Sequence, residues 1–247
     1  LGLIVNRSQP ASCHIATVVC KIKDLFMRIL PILLTLFLFQ SCTNQTDKNS
    51  IEKYLDNSIK VDSLNVPINM NQGYFPLNKF TDTSIYVGYD TFHVEWYSKH
   101  LIAMEEPLIF NKKQNKSIFR FLWLRSFHNP IAIRIEKQSD TYLLTWKLCN
   151  GAGGYEPKKM IVNKTKTINK ETWDSFQDLL LKVDYWNLKT NEVEIPGSDG
   201  SQWILEGTDE KNYHVVDRWT PRGGIFYDCC NFLIELTDLE FNEDEKY

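Results

Sequence analysis

No uninterrupted apolar stretch of this 247-residue chain approaches the roughly 20 residues that a helix needs to cross a bilayer, so a retained transmembrane anchor is disfavoured. The six cysteines include no Cys-x-x-Cys, and the five histidines show no zinc spacing. No basic run is present, which removes the charge footprint that nucleic-acid binding requires. The glycine cluster Gly151-Ala152-Gly153-Gly154 lacks the Lys-Ser/Thr of a phosphate loop and leads into Tyr155-Glu156-Pro157. It reads as a turn between strands. Neither a nucleophile elbow nor an internal repeat is visible. No catalytic set, metal or cofactor is therefore expected.

What the chain does carry is a short apolar run ending in cysteine. Met27 and Arg28 supply a charged start, residues 29–39 an apolar core broken by Pro31 and Thr35, and Ser41 the small residue before Cys42. The segment resembles the type II signal peptides of bacterial lipoproteins, with Phe39 where that family usually has Leu, Val or Ile. The resemblance implies cleavage before Cys42 and its acylation by palmitate-class chains. The membrane would then be a partner through lipid on Cys42, on the periplasmic face of the outer membrane. An envelope protein or a small-molecule ligand is the expected further partner.

The chain opens on Leu1 and the signal pattern begins at Met27, so residues 1–26 read as upstream translation outside the natural protein. Residues 27–41 are the signal, 42–64 a polar tether, and 65–247 one domain. Cleavage removes four basic side chains (Arg7, Lys21, Lys23, Arg28) and one acidic (Asp24) from totals of 28 and 31, taking the net charge from −3 to −6. Cys149 and the vicinal pair Cys229 and Cys230 remain; a bridge from Cys149 to either neighbour stays open, against a reading of all three as buried apolar fillers.

Aromatic and β-branched residues alternate in a strand-like manner over 84–89, 91–104, 117–125, 130–137, 141–149 and 158–168. A short helix is expected around 50–59. After Asn169 the period changes: Trp173, Phe176, Leu180 and Val183 predict a helix over 170–184 capped by Asn169. Residues 202–208 and 213–219 form a hairpin around 209–212. A last helix begins near Pro221, with Gly223 and Gly224 delaying regular turns until Ile225, and residues after Phe241 are expected to fray. The fold class is α+β, a mainly antiparallel sheet with two C-terminal helices packed on it.

The densest polar cluster is the hairpin Trp203-Ile204-Leu205-Glu206-Gly207 and Tyr213-His214-Val215-Val216-Asp217-Arg218-Trp219. With Gly151 to Tyr155, the Trp173 helix and Asp199-Gly200, it resembles a family of uncharacterised bacterial proteins over roughly the last hundred residues. The first half of the chain matches only through Arg125 and Arg134. That resemblance supplies no activity. Glu206, His214, Asp217, Arg218 and Trp219 are the candidate ligand-binding residues. Alternation places His214 and Arg218 on one strand face and Asp217 on the other, and a tight turn at Glu210-Lys211 pairs Glu206 with Val215, away from His214. Buried salt bridges are the competing explanation. His93 and Glu95 share a face if 91–104 is a strand, with no third metal ligand nearby. Most of the seven tryptophans fall on apolar phases and read as core; only Trp219 reads as a surface aromatic. The expected function is a lipid-anchored, non-enzymatic binding or interaction domain. The alternatives are a hydrolase using Glu206, His214 and Asp217, or a structural assembly lipoprotein.

Overall fold

Residues 117–219 supply six strands, all but the exposed β4 alternating side chains between two buried faces: β1 (Ser117–Arg125), β2 (Ile131–Gln138), β3 (Thr141–Cys149), β4 (Met160–Thr167), β5 (Ser201–Thr208) and β6 (Tyr213–Trp219). They form one antiparallel sheet in the order β4-β3-β2-β1-β5-β6. The computed structural model describes residues 2, 49–77, 79–80, 89–192, 199–242 and 245–247. The chain divides into the units Leu1–Lys48 and Asn49–Tyr247, and every element described here belongs to the second. The signal segment, Cys42 and residues 84–88 lie outside the described residues.

On one face Phe119, Phe121, Trp123, Trp146 and Trp203 are covered by the helices α2 (Lys170–Lys182) and α3 (Ile225–Glu235). Trp173, Phe176 and Leu180 form the buried stripe of α2, and Asn169 caps it by accepting from the Thr172 N–H at 2.9 Å. That satisfies one of the amide donors left open at a helix start. The α3 helix begins at Ile225 after Gly224 and buries Cys229, Cys230, Leu233 and Ile234. The two C-terminal helices thus pack on an antiparallel sheet, as the sequence pattern anticipates.

The opposite face is covered as well. Ile118, Leu122, Leu124, Ile204 and Val215 meet Val94, Tyr97 and Leu101 of α1 (Tyr89–Ala103), together with Ile51, Tyr74 and Phe75. The expected strand over 91–104 is therefore a helix. Its solvent side carries Phe92 and Trp96 as well as polar residues, so its apolar positions do not confine themselves to one helical face.

The compact unit begins at Asn49, not at residue 65. Ser50 bridges to Asn212, the Ile51 N–H donates to the Lys211 carbonyl at 2.8 Å, and Ile51 is fully buried. Within the expected helix of 50–59 only the 3-10 turn Ile51–Lys53 forms. The expected fraying after Phe241 is not seen in the described residues. Phe241 packs on Trp123 with ring centroids 5.3 Å apart, and the Tyr247 hydroxyl lies 2.8 Å from His128 Nδ1. Cys149 belongs to the core on the α1 face, while Cys229 and Cys230 lie in the core beneath α2 and α3. The sheet separates them, all three are free and buried, and no bridge joins them. Burial pushes the Cys149 thiol up to about 11 and Cys229 to about 12, which removes the thiolate that redox chemistry needs.

Candidate functional site

The hairpin does not gather its polar residues. β5 and β6 pair with Glu206 opposite Val215, so the two-residue side-chain period sends Glu206 and Asp217 to the α1 face and His214 and Arg218 to the other. His214 Nε2 hydrogen-bonds the Leu188 carbonyl at 2.9 Å, and its ring packs edge-on against Tyr185. Arg218 donates to the carbonyls of Thr190, Lys189 and Asp217, and pairs with Glu192 at 3.1 Å. Asp217 accepts from the Tyr97 hydroxyl at 2.8 Å. Because the sheet stands between the carboxylates and the imidazole, Glu206, His214 and Asp217 cannot share a substrate, and the hydrolase constellation is undone. His93 and Glu95, two positions apart on a helix, diverge: His93 is buried against Tyr97, and Glu95 is exposed. Among the described residues no three potential ligands gather around a metal position.

Glu206 instead belongs to a buried ionic layer that the sequence does not announce. Arg120 of β1 pairs with Glu206, and the Tyr213 hydroxyl donates to the other Glu206 oxygen at 2.7 Å. Glu106, which follows α1, receives Arg134 Nε at 2.9 Å and Lys147 Nζ at 3.1 Å, with Arg120 at 3.6 Å. Arg134 also pairs with Glu136. Two further donors are used, Arg120 to the Pro107 carbonyl at 2.7 Å and Lys147 to that of Glu105 at 2.9 Å, while the buried Arg120 Nε has no hydrogen-bond partner among the described residues. Burial opposes ionisation of both inner carboxyls, but their surroundings differ. Glu106 has three cations around it and is held down at about 2. Among the described residues Glu206 has only Arg120, which it shares with Glu106, and burial raises it. A closed layer of this kind, with Arg120, Glu106 and Glu206 each about 1% exposed, offers nothing to a ligand; it ties the residues after α1 to four strands.

The surface feature that remains is a cleft of about 490 Å³ at one end of the sheet, between α1 and the loops after β1 and β3. Its size falls within the roughly 300–1,000 Å³ of small-molecule sites. Phe92, Glu95, Trp96 and Lys99 line it from α1, Phe127 and Tyr155 from the loops, and Asp199 and Trp219 from the start of β5 and the end of β6. Of the hairpin residues singled out in sequence, only Trp219 reaches it. Both sheet faces are covered, so the concavity is an end cleft rather than a sheet face. A second hollow of about 890 Å³ lies between α1 and residues 53–77. It borders residues 78 and 81–88, outside the described set, and no site is assigned to it.

The glycine loop forms one wall of the cleft. The amides of Gly151, Ala152, Gly153 and Gly154 donate to the carbonyls of Pro157, Glu156, His128 and Ser126, so none faces outward to receive a phosphate. The Trp96 indole N–H donates to the Gly153 carbonyl at 2.9 Å, joining α1 to this wall. Close approach explains the glycines. A Cβ on Gly153 would lie 2.6 Å from the Leu124 and Arg125 backbone, and one on Gly200 would lie 2.6 Å from the Trp219 ring. Thr220, next to Trp219, holds φ at 45°, a left-handed value that a β-branched residue rarely adopts. Its hydroxyl accepts from the Ser201 N–H at 3.0 Å.

A Cβ on Gly151 would run into the Glu156 carbonyl and lie 2.5 Å from the Pro157 carbonyl carbon, both backbone atoms. Gly151→Ala is therefore expected to destabilise the protein by about 1–3 kcal/mol, the range for overpacking, and to displace Tyr155. Urea unfolding measures the first effect. A chain as stable as the parent would show that the loop can open without penalty.

No protein-family model and no curated protein matches the chain.

Proposed function

We propose that the chain is a lipid-anchored bacterial envelope protein, attached through Cys42 to the outer membrane and facing the periplasm, whose folded body is a non-enzymatic binding module that uses the end cleft. The anchor rests on the sequence pattern of residues 27–42. The binding reading rests on one observation: Phe92, Phe127 and Tyr155 stay 57%, 60% and 61% exposed while lining the same concave cleft. Core packing does not require aromatic rings there, and exposed apolar patches of this kind mark interaction sites. The assembly alternative calls for a pocketless surface and is disfavoured by the cleft.

Two experiments test the two halves. Cys42→Ala should abolish labelling by a fatty-acid probe and release the protein from membranes; continued labelling would refute the anchor. For the cleft, the full chain is immobilised and challenged with solubilised envelope fractions. Truncation of a central aromatic anchor weakens binding by roughly 2 kcal/mol, about thirtyfold. Trp219→Ala and Tyr155→Ala are therefore each expected to lower retention of whatever component binds by that order. Retention unaffected by either substitution would remove the cleft from the binding role.

A further inference from the structure

The cleft combines rings and charge in a way that selects a ligand chemistry. Phe92 and Trp96 form a tilted pair on α1 with centroids 5.8 Å apart, and Phe127 and Tyr155 a second pair at 6.4 Å on the loops, with Trp219 as a fifth ring. The lining side chains carry two carboxylates, Glu95 and Asp199, and one ammonium, Lys99. Lys99 is already matched by Glu156 at 3.0 Å. Among the described residues neither Glu95 nor Asp199 has an ion-pair partner within 4 Å. The cleft is thus aromatic and negative.

An anionic ligand is repelled by that field, and a bare metal ion lacks a cage, since no three potential ligands gather among the described residues. Weakly hydrated organic cations suit it better. Their alkyl surface packs on ring faces, the ring quadrupole attracts the charge, and a nearby carboxylate completes the match. We propose that the cleft binds an alkylated ammonium group carried by its ligand. The proposal rests on the cleft being the binding site and adds the chemical class of what enters it.

The test uses choline and its uncharged isostere 3,3-dimethylbutan-1-ol with the full chain in a nonionic detergent, protein-free micelles correcting for partition. Saturation-transfer NMR reads the methyl protons of both probes in one sample. Choline is expected to bind at least about tenfold more tightly than the alcohol. The preference should disappear in the double variant Glu95→Gln, Asp199→Asn, whose substitutions are exposed and nearly isosteric. Far-ultraviolet circular dichroism of that variant verifies that it folds. Equal binding of the two probes, or no saturable choline signal, overturns the proposal. So does a choline preference that survives in the folded double variant. If envelope retention still depends on Trp219 while choline fails, only the ligand class falls; if retention ignores both Trp219 and Tyr155, the reading of the cleft falls with it.

Discussion

Replacing Glu106 with alanine is expected to destabilise the protein by about 3–5 kcal/mol, the penalty for stranding a buried charge. Arg134, Lys147 and Arg120 all converge on this carboxylate, and its own exposure is 1%. Without it, Arg120, Arg134 and Lys147 face two remaining carboxylates, Glu206 and Glu136, of which Glu136 already pairs with Lys116, and Lys147 loses its one carboxylate partner among the described residues. With net stabilities of about 5–15 kcal/mol for domains in general, such a loss consumes much of the margin. Urea unfolding of the parent and variant measures it, and a change below about 1 kcal/mol would show the layer to be energetically idle. Glu206→Gln should be milder. Its carboxyl is already pushed towards the neutral form, and glutamine keeps an acceptor for the Tyr213 hydroxyl.

The second large effect is an acid limb in stability. Glu106 lies at about 2 in the folded chain against an ordinary 4.5. Its contribution is present in full above about pH 4.5 and is withdrawn as the pH falls from there through about 2. At about 1.4 kcal/mol per pH unit of displacement, that contribution is on the order of 3 kcal/mol. Glu206 acts with the opposite sign. Its raised value means that the folded chain holds this proton more tightly than the unfolded one, so acidification from neutrality towards pH 4.5 relieves a cost. Glu52, Asp56 and Asp238 are also lowered but sit in solvent, where screening makes them minor. Stability should therefore rise slightly on mild acidification and then fall steeply below about pH 4.5. Glu106→Gln should flatten the steep limb. A parent profile that declines steadily from pH 7 would contradict the opposed carboxyls.

The parts of this fold governed by a two-residue or a 3.6-residue period were legible in sequence. β1, β3 and β6 have the expected bounds, α2 starts at Lys170 behind its Asn169 cap, and the Glu206–Val215 pairing follows from the turn at 209–212. The failures have a common cause. α1 reads as a strand because Phe92 and Trp96 sit on its outer side, where they line the cleft, and that placement blurs the helical stripe. The local rule gives way where aromatic residues line a surface cleft instead of the core. The cleft itself is assembled from residues near 92–99, 126–127, 154–155, 199 and 219, and only the paired sheet reveals that they meet. The buried layer left a fainter trace. Arg120, Arg134 and Lys147 each stand alone between apolar neighbours in Phe-Arg-Phe, Ile-Arg-Ile and Trp-Lys-Leu. A charge on the inward phase of a strand buried on both faces must meet a counter-charge, but its partner Glu106 lies outside any strand and could not be assigned by alternation.

The two borders of the sheet are guarded by different means, and the difference sets an order of events. β4 presents a mostly exposed strand studded with Lys164 and Lys166, charges that discourage another strand from pairing with it at any stage. β6 carries no such protection of its own. Two of its outward amides are taken up by the chain, Tyr213 N–H by the Asn49 carbonyl at 2.7 Å and Asp217 N–H by that of Thr190 at 2.8 Å. The Tyr213 end of that shield exists only after residues 49–51 have folded back across more than 150 positions of sequence, whereas the Asp217 end is closed by the nearby segment that carries Thr190. Until then the turn end of the hairpin has a sticky side, and trimming the chain past residue 51 would leave that end open to aggregation between copies.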